Sequence, residues 1–289
     1  MSEPRGRTDL LKPSFEPHAP AQPLGHSLLH GPPRAQHIVV VLGVGPGLGL
    51  DVARIFAAQG YAVAILSRTK ARLDAWAVEV SLASRVLRVA PARPLSLAFG
   101  CDVLDSAAII QAVKDIQAAW PERKIGTCVY NASVRKRGPF LEQRPEQVRD
   151  GVQGSIFAGF AFLQSVIGAM VQHNNGAGGS VLVTGATSST RGREGFAGFA
   201  ASKSGLRAIC QSVAREFGPQ NIHVAHIIVD GVIESQTMLD RFDFPKGSRF
   251  PDGAALLSPE MAKTWLFLAQ QRPNAWTFEM DLRPAKEHF

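Results

Sequence analysis

Cysteine and tyrosine are both scarce in this chain. It has three cysteines, Cys101, Cys128 and Cys210, and two tyrosines, Tyr61 and Tyr130. The cysteines are widely spaced, odd in number and fit neither a CxxC nor a zinc-ligand pattern, which excludes a disulfide framework and a cysteine metal site. They read as reduced core thiols of a cytoplasmic protein. A clean apolar run long enough to span a bilayer is also missing. The longest candidate, Ile156 to Val171, is interrupted by Gln164, Ser165 and two glycines, and reads as a buried helix, so no membrane association is expected. The formal net charge is +7, but the basic residues form no long run, and a nucleic-acid partner is not expected.

What is present falls into two parts. Residues 1–36 carry many prolines, scattered charges including Glu3, Asp9 and Glu16, and little apolar periodicity. They read as a disordered, proline-rich arm, with no apolar core of a signal sequence. From His37 the pattern changes to strands alternating with helices. Strands are expected at His37–Leu42, Tyr61–Leu66, Leu95–Gly100, Ile125–Tyr130, Ser180–Thr184 and Ile222–Val229, with a last one at Trp276–Leu282. Helices are expected near 48–59, 69–84, 145–173 and 199–217. This alternation predicts an α/β fold in a single domain over 37–289: a doubly wound parallel sheet of about seven strands with helices on both faces, a Rossmann fold.

Gly43, Gly47 and Gly49 follow the first strand and open the first helix. A dinucleotide-binding turn needs glycine there for a sharp bend, for close approach of backbone N–H groups to a pyrophosphate, and for tight helix–strand packing. The spacing is G-x-x-x-G-x-G, and a purely structural glycine turn is the alternative.

With these glycines the chain resembles the short-chain dehydrogenase/reductase family, whose fingerprint is T-G-x-x-x-G-x-G; Leu42 replaces the threonine. Asp102-Val103 after the third strand and Asn131-Ala132-Ser133 after the fourth match two further family motifs, and the resemblance runs from His37 to the C-terminus. It implies a nicotinamide cofactor, a small-molecule substrate, Asp102 facing the adenine end and Asn131 supporting the central sheet. The second strand ends in Leu66-Ser67-Arg68-Thr69 with no acid. A carboxylate there would bind a ribose 2′-hydroxyl and repel a 2′-phosphate, whereas Arg68 can fork onto that phosphate, so NADP(H) is the expected cofactor. Pro46 points the other way, since many NADP-using relatives have a basic residue at its place.

The family's chemistry rests on Y-x-x-x-K, in which the tyrosine gives a proton to the substrate oxygen and the lysine holds the nicotinamide ribose. Here the segment is Phe199-Ala200-Ala201-Ser202-Lys203. The lysine is kept and the tyrosine is not. The family's serine position falls on Ala186, with Thr187 and Ser188 next to it as substitutes, and its helix asparagine aligns with Ser155. After the sixth strand, Asp230-Gly231 stands for the family's Pro-Gly. Asp230 is a candidate proton carrier or a turn residue, and Ser235 matches a threonine that bonds the carboxamide. The segments with Arg135, Lys136, Arg137 and with Arg191, Arg193 border the expected substrate site, as an anion site or as solvated charge. The tail from Ala275 to Pro284 resembles a divergent branch of the family that also has phenylalanine for the tyrosine.

Two functions follow. One is an NADP(H)-dependent oxidoreductase with an atypical site, passing hydride to an unknown small molecule such as an activated C=N or C=C. The other is a nucleotide-binding protein without turnover, a sensor or assembly partner; a non-redox reaction in the same pocket is a variant. The helices over 145–173 and 199–217 are where relatives associate, so a homodimer or homotetramer is expected.

Overall fold

The computed structural model describes residues 36–84 and 95–287, all within one compact unit spanning 31–289. The arm expected over 1–36 lies outside the described residues apart from Gln36. The strands are His37–Leu42 (β1), Ala62–Ser67 (β2), Ser96–Gly100 (β3), Lys124–Tyr130 (β4), Gly179–Thr184 (β5), Ile222–Val229 (β6) and Glu279–Leu282 (β7). They form one parallel sheet in the order β3-β2-β1-β4-β5-β6-β7. The helices are Leu48–Ala58 (α1), Lys70–Leu82 (α2), Ser106–Ala119 (α3), Pro145–Val152 (α4), Ala158–His173 (α5), Ala197–Phe217 (α6), Gln236–Arg241 (α7) and Ser258–Ala269 (α8).

β1 shows why the strands read as unbroken apolar runs. Ile38, Val40 and Leu42 point to one face, where they meet Ile109 of α3 and Phe162 of α5. Val39 and Val41 point to the other, where they meet Phe56 of α1 and Trp265 of α8. Side chains alternate between faces, and both faces are covered, so every position must be apolar.

Three helices add to those expected. The signals of α3 lie in the sequence: Asp105 caps it by accepting from the Ala107 and Ala108 amides, and Ile109, Ala112, Val113 and Ile116 form its buried stripe. α7 and α8 lie in the stretch between β6 and the tail. The last strand is shorter than expected, because Pro273–Ala275 forms a 3-10 turn and Trp276 stacks on His223 with ring centroids 5.0 Å apart.

The run Pro145–His173 is long and apolar enough to cross a membrane by length and composition, yet 61% of its most apolar window is buried inside the fold. It is not a uniform α-helix. Gln153–Phe157, between α4 and α5, winds as a π-helical turn. Gly154 there lies against Val134, and its carbonyl accepts from the buried Tyr130 hydroxyl at 2.7 Å. That bond satisfies a backbone group in the irregular turn. All three cysteines are free and buried, and burial pushes Cys101 up to about 11 and Cys210 up to about 12. Their thiols are therefore unreactive at neutral pH.

β6, β7 and α6 are joined by a partly buried group of polar side chains. His226 pairs in register with Glu279, its Nδ1 2.9 Å from the carboxylate, and Arg207 donates twice to Glu279 at 2.6 and 2.7 Å. Burial pushes His226 down to about 4, the Glu279 bond opposing it only in part. Arg207 holds Glu279 below the usual carboxylate range. A histidine whose folded pKa is depressed stabilises the fold fully above its unfolded value near 6.5, and this stability is lost as pH falls towards 4. Urea unfolding should show a loss on the order of 2–3 kcal/mol between pH 7 and pH 4 from this residue. His226→Gln should lose that much less over the same window; an identical acid profile in the variant would rule the histidine out as its source.

Candidate functional site

The strand order reverses direction between β1 and β4, and an open parallel sheet leaves a crevice at such a switch point, beyond the carboxyl ends of its strands. A cleft of about 910 Å³ opens there, lined by the segments that follow β1, β4, β5 and β6.

The turn after β1 is shaped by three glycines with three different constraints. Gly43 has φ +95°, and a Cβ on it would collide with the backbone of Ala132. A Cβ on Gly49 would run into the Gly43 carbonyl oxygen. Gly47 has φ +136° and open space around it, and it caps α1. The Gly43 and Val44 amides donate to the Leu66 carbonyl at 2.9 and 3.0 Å, which ties the turn to β2. Gly47, Leu48 and Gly49 therefore present the amino end of α1 to the cleft. Unpaired N–H groups and the helix dipole favour an anion there.

Asn131 fixes the next part. Its backbone N–H donates to Leu42 at 2.8 Å, its side-chain amide donates to the Gly43 carbonyl at 3.0 Å, and its side-chain oxygen accepts from Thr184 Oγ1 at 2.9 Å. Thr184 in turn accepts from Lys203 Nζ through its carbonyl, at 2.9 Å. Lys203 is 2% exposed and lines the cleft. Burial pushes its amine down to about 8.

Phe199 lies one helical turn before Lys203 on α6 and lines the cleft with Phe196, their ring centroids 6.4 Å apart. Neither tyrosine is among the lining residues. Tyr61 packs edge-on to Phe56 beneath α1, and the Tyr130 hydroxyl is bound to Gly154. Thr187 and Ser188, on a 3-10 turn after β5, both line the cleft, as does Ala186. The Thr187 hydroxyl donates to Asp230, and the same carboxylate is ion-paired with Arg283, with Arg191 4.0 Å away. Ser235 lines the cleft and caps α7 by accepting from the Met238 amide.

Ten of the expected site residues thus share one cleft: Gly43, Gly47, Gly49, Asn131, Thr187, Ser188, Phe199, Lys203, Asp230 and Ser235. Arg68 and Asp102 are not among its lining residues. They follow the paired ends of β2 and β3, where Ser67 aligns with Gly100, and Arg68 is exposed there. Asp102 accepts from the Leu104 amide. Ser155 is fully buried in the π-helical turn, and its hydroxyl has no hydrogen-bond partner. Arg283 was not foreseen. It lies 53 residues from Asp230 in sequence, and only the return of the tail along β7 brings them together, with the Asp230 amide donating to Leu282 at 2.9 Å.

Comparison with known proteins agrees with this architecture. The family profile described as short chain dehydrogenase matches residues 37–243. The chain is similar to carbonyl reductase family member 4 of Xenopus tropicalis, 25% identical over 236 residues, covering 81% of this chain and 91% of that one. It is similar to the crystal structure of a short-chain dehydrogenase from Rhodopseudomonas palustris, with TM-score 0.68, 30% identity and coverage of 86% and 99% of the two chains. A metagenomic short-chain oxidoreductase in complex with NADP shares the fold, with TM-score 0.69, 21% identity and coverage of 88% and 99%.

The turn geometry makes a direct prediction. Gly43→Ala combines a forbidden φ with a backbone collision, so it should cost about 2–5 kcal/mol and lower Tm by roughly 5 °C or more. Gly45→Ala, with nothing within 4 Å of the added methyl, should leave Tm nearly unchanged. Equal melting temperatures for the two variants would contradict the packing of Gly43 on Ala132.

Proposed function

The chain belongs to the short-chain dehydrogenase family, and from that premise we propose that it is an NADP(H)-dependent oxidoreductase with an altered proton apparatus. The carrying observation is that the glycine turn, buried Lys203 and the Thr187–Asp230 pair line one cleft. The residues fit a dinucleotide. The space over Gly47 admits a pyrophosphate that a Cβ would obstruct, and the Lys203 amine stands in the floor. When bound, the nicotinamide supplies or accepts a hydride.

In this reading Gly43, Gly47 and Gly49 admit the diphosphate, Arg68 holds the 2′-phosphate, Asp102 meets the adenine end, Lys203 holds the ribose and Ser235 meets the carboxamide. Asn131 acts by holding the turn and Thr184 in place. Thr187 and Ser188 polarise the substrate oxygen or nitrogen. Asp230 accepts the Thr187 hydroxyl proton and is itself held by Arg283. It is the candidate proton carrier of the cleft, reached through the Thr187 hydroxyl.

Phe199 leaves the donor's usual place apolar. Loss of a general acid costs roughly 10²–10⁴-fold in rate, or about 3–5 kcal/mol of barrier. Substrates that need no proton at that point, such as an iminium ion or a polarised C=C, escape this cost. Phe199 also favours a second reading, a nucleotide-binding sensor or assembly partner without turnover. The proposed setting is the cytoplasm. The proposed assembly is a homodimer or homotetramer, supported by Phe157, the last residue of the π-helical turn, and Phe160 on α5, both more than half exposed.

Titration should give tighter binding of NADPH than NADH, and Arg68→Ala should remove most of the preference, about 10–100-fold for one charge-assisted contact. Equal affinities would refute the cofactor choice. Stopped-flow absorbance of bound NADPH against imines, enones and ketones then separates the two readings: no oxidation by any of them favours the sensor.

Lys203 adds a pH signature. Its ammonium form donates the stronger, charge-assisted hydrogen bond to a ribose hydroxyl, and burial places its pKa at about 8. NADPH affinity should be flat below about pH 8 and fall above it, by calorimetry from pH 6.5 to 9.5. Lys203→Met should bind more weakly at neutral pH and lose this dependence. A flat profile in the unaltered protein would remove Lys203 from the binding site.

A further inference from the structure

Five arginines from three separate segments lie in or near the cleft, three of them in its lining. Arg135 and Arg137 follow β4, Arg191 and Arg193 follow β5, and Arg241 ends α7. Arg135, Arg191 and Arg193 line the cleft itself. The Arg135 guanidinium lies over the Phe196 ring, 5.0 Å from its centroid. Burial, followed by repulsion from Arg241 and Arg137, draws its pKa below the ordinary arginine value.

The acids of the cleft do not neutralise this group. Asp230 is taken by Arg283 and Thr187, with only Arg191 of the five nearby, at 4.0 Å. Glu234 is held by Arg249 and by the Phe250 amide. Glu287 lines the cleft beside Gly231, and Glu194 is exposed. Among the described residues no ion pair joins Arg135, Arg137, Arg193 or Arg241 to an acid. Solvated surface arginines would spread apart to lower their repulsion. All five are exposed, yet three of them line one concave cleft, and Arg135 lies over an aromatic ring.

We infer that the mouth of this cleft is a subsite for an anionic group of the substrate, a carboxylate or phosphate, held by Arg135 and Arg193 with an apolar body against Phe196 and Phe199. Guanidinium forks match the paired oxygens of either anion. The segments after β4 and β5 are distinct from the β1 turn, so this anion site is separate from the one offered by α1. The inference rests on the reading of the cleft as a substrate site, and it does not depend on turnover.

The test is calorimetric titration of the protein saturated with NADPH, so that the α1 site is filled. The probes are phenylacetate, phenyl phosphate and the neutral phenylacetamide. Both anions should bind at least tenfold more tightly than the amide. Arg135→Gln with Arg193→Gln should abolish that preference while NADPH affinity stays within twofold, whereas Arg215→Gln on the far end of α6 should change neither. Retention of NADPH binding also shows that the double variant is folded. Equal binding of anion and amide, or a preference that survives the double variant, overturns the inference. If NADPH itself does not bind, the cofactor reading fails, and phenylacetate against phenylacetamide on the free protein decides the subsite alone.

Discussion

Asn131 ties together the parts of the molecule on which any chemistry in the cleft depends. One side chain bonds the carbonyl of Gly43 and the hydroxyl of Thr184, and the Thr184 carbonyl holds the Lys203 amine. The line runs from the glycine turn, across the ends of β4 and β5, to α6. Each bond contributes about 1 kcal/mol, so its importance is geometric. It fixes the glycine turn and the amine in the lining of one crevice. The close contact of Gly43 with Ala132 is what lets the asparagine reach, and this contact forbids a side chain at position 43.

The second half of the site is organised around a carboxylate. Asp230 gathers Thr187 from β5 and Arg283 from the tail, with Arg191 at the edge. A family member with tyrosine at position 199 has an acid beside its lysine. Here the hydroxyl is on a different segment and is linked to a base. Phe199 and Phe196 add apolar surface to the cleft, and burial of Lys203 keeps its pKa low.

Much of this was legible in residues 37–289. Alternating apolar runs gave the parallel sheet, and the glycine spacing gave the turn, because both follow from local geometry that few residues satisfy. Lys203 and Asn131 were legible as motif positions. The helix α3 was equally readable from its Asp105 cap and its apolar period. The π-helical turn was not, because it depends on Gly154 meeting Val134 and on a hydroxyl arriving from β4.

The sequence by itself therefore determined the fold, the glycine turn and the absence of a tyrosine from the Y-x-x-x-K position, since each is written in consecutive residues. Only the tertiary structure decided what surrounds Asp230, which acids are already engaged and where the arginines lie. Arg283 meets Asp230 across 53 residues, and Arg135 lies over the Phe196 ring across 61. Such pairings are set by how strand ends and loops pack in space, and no local spacing encodes them.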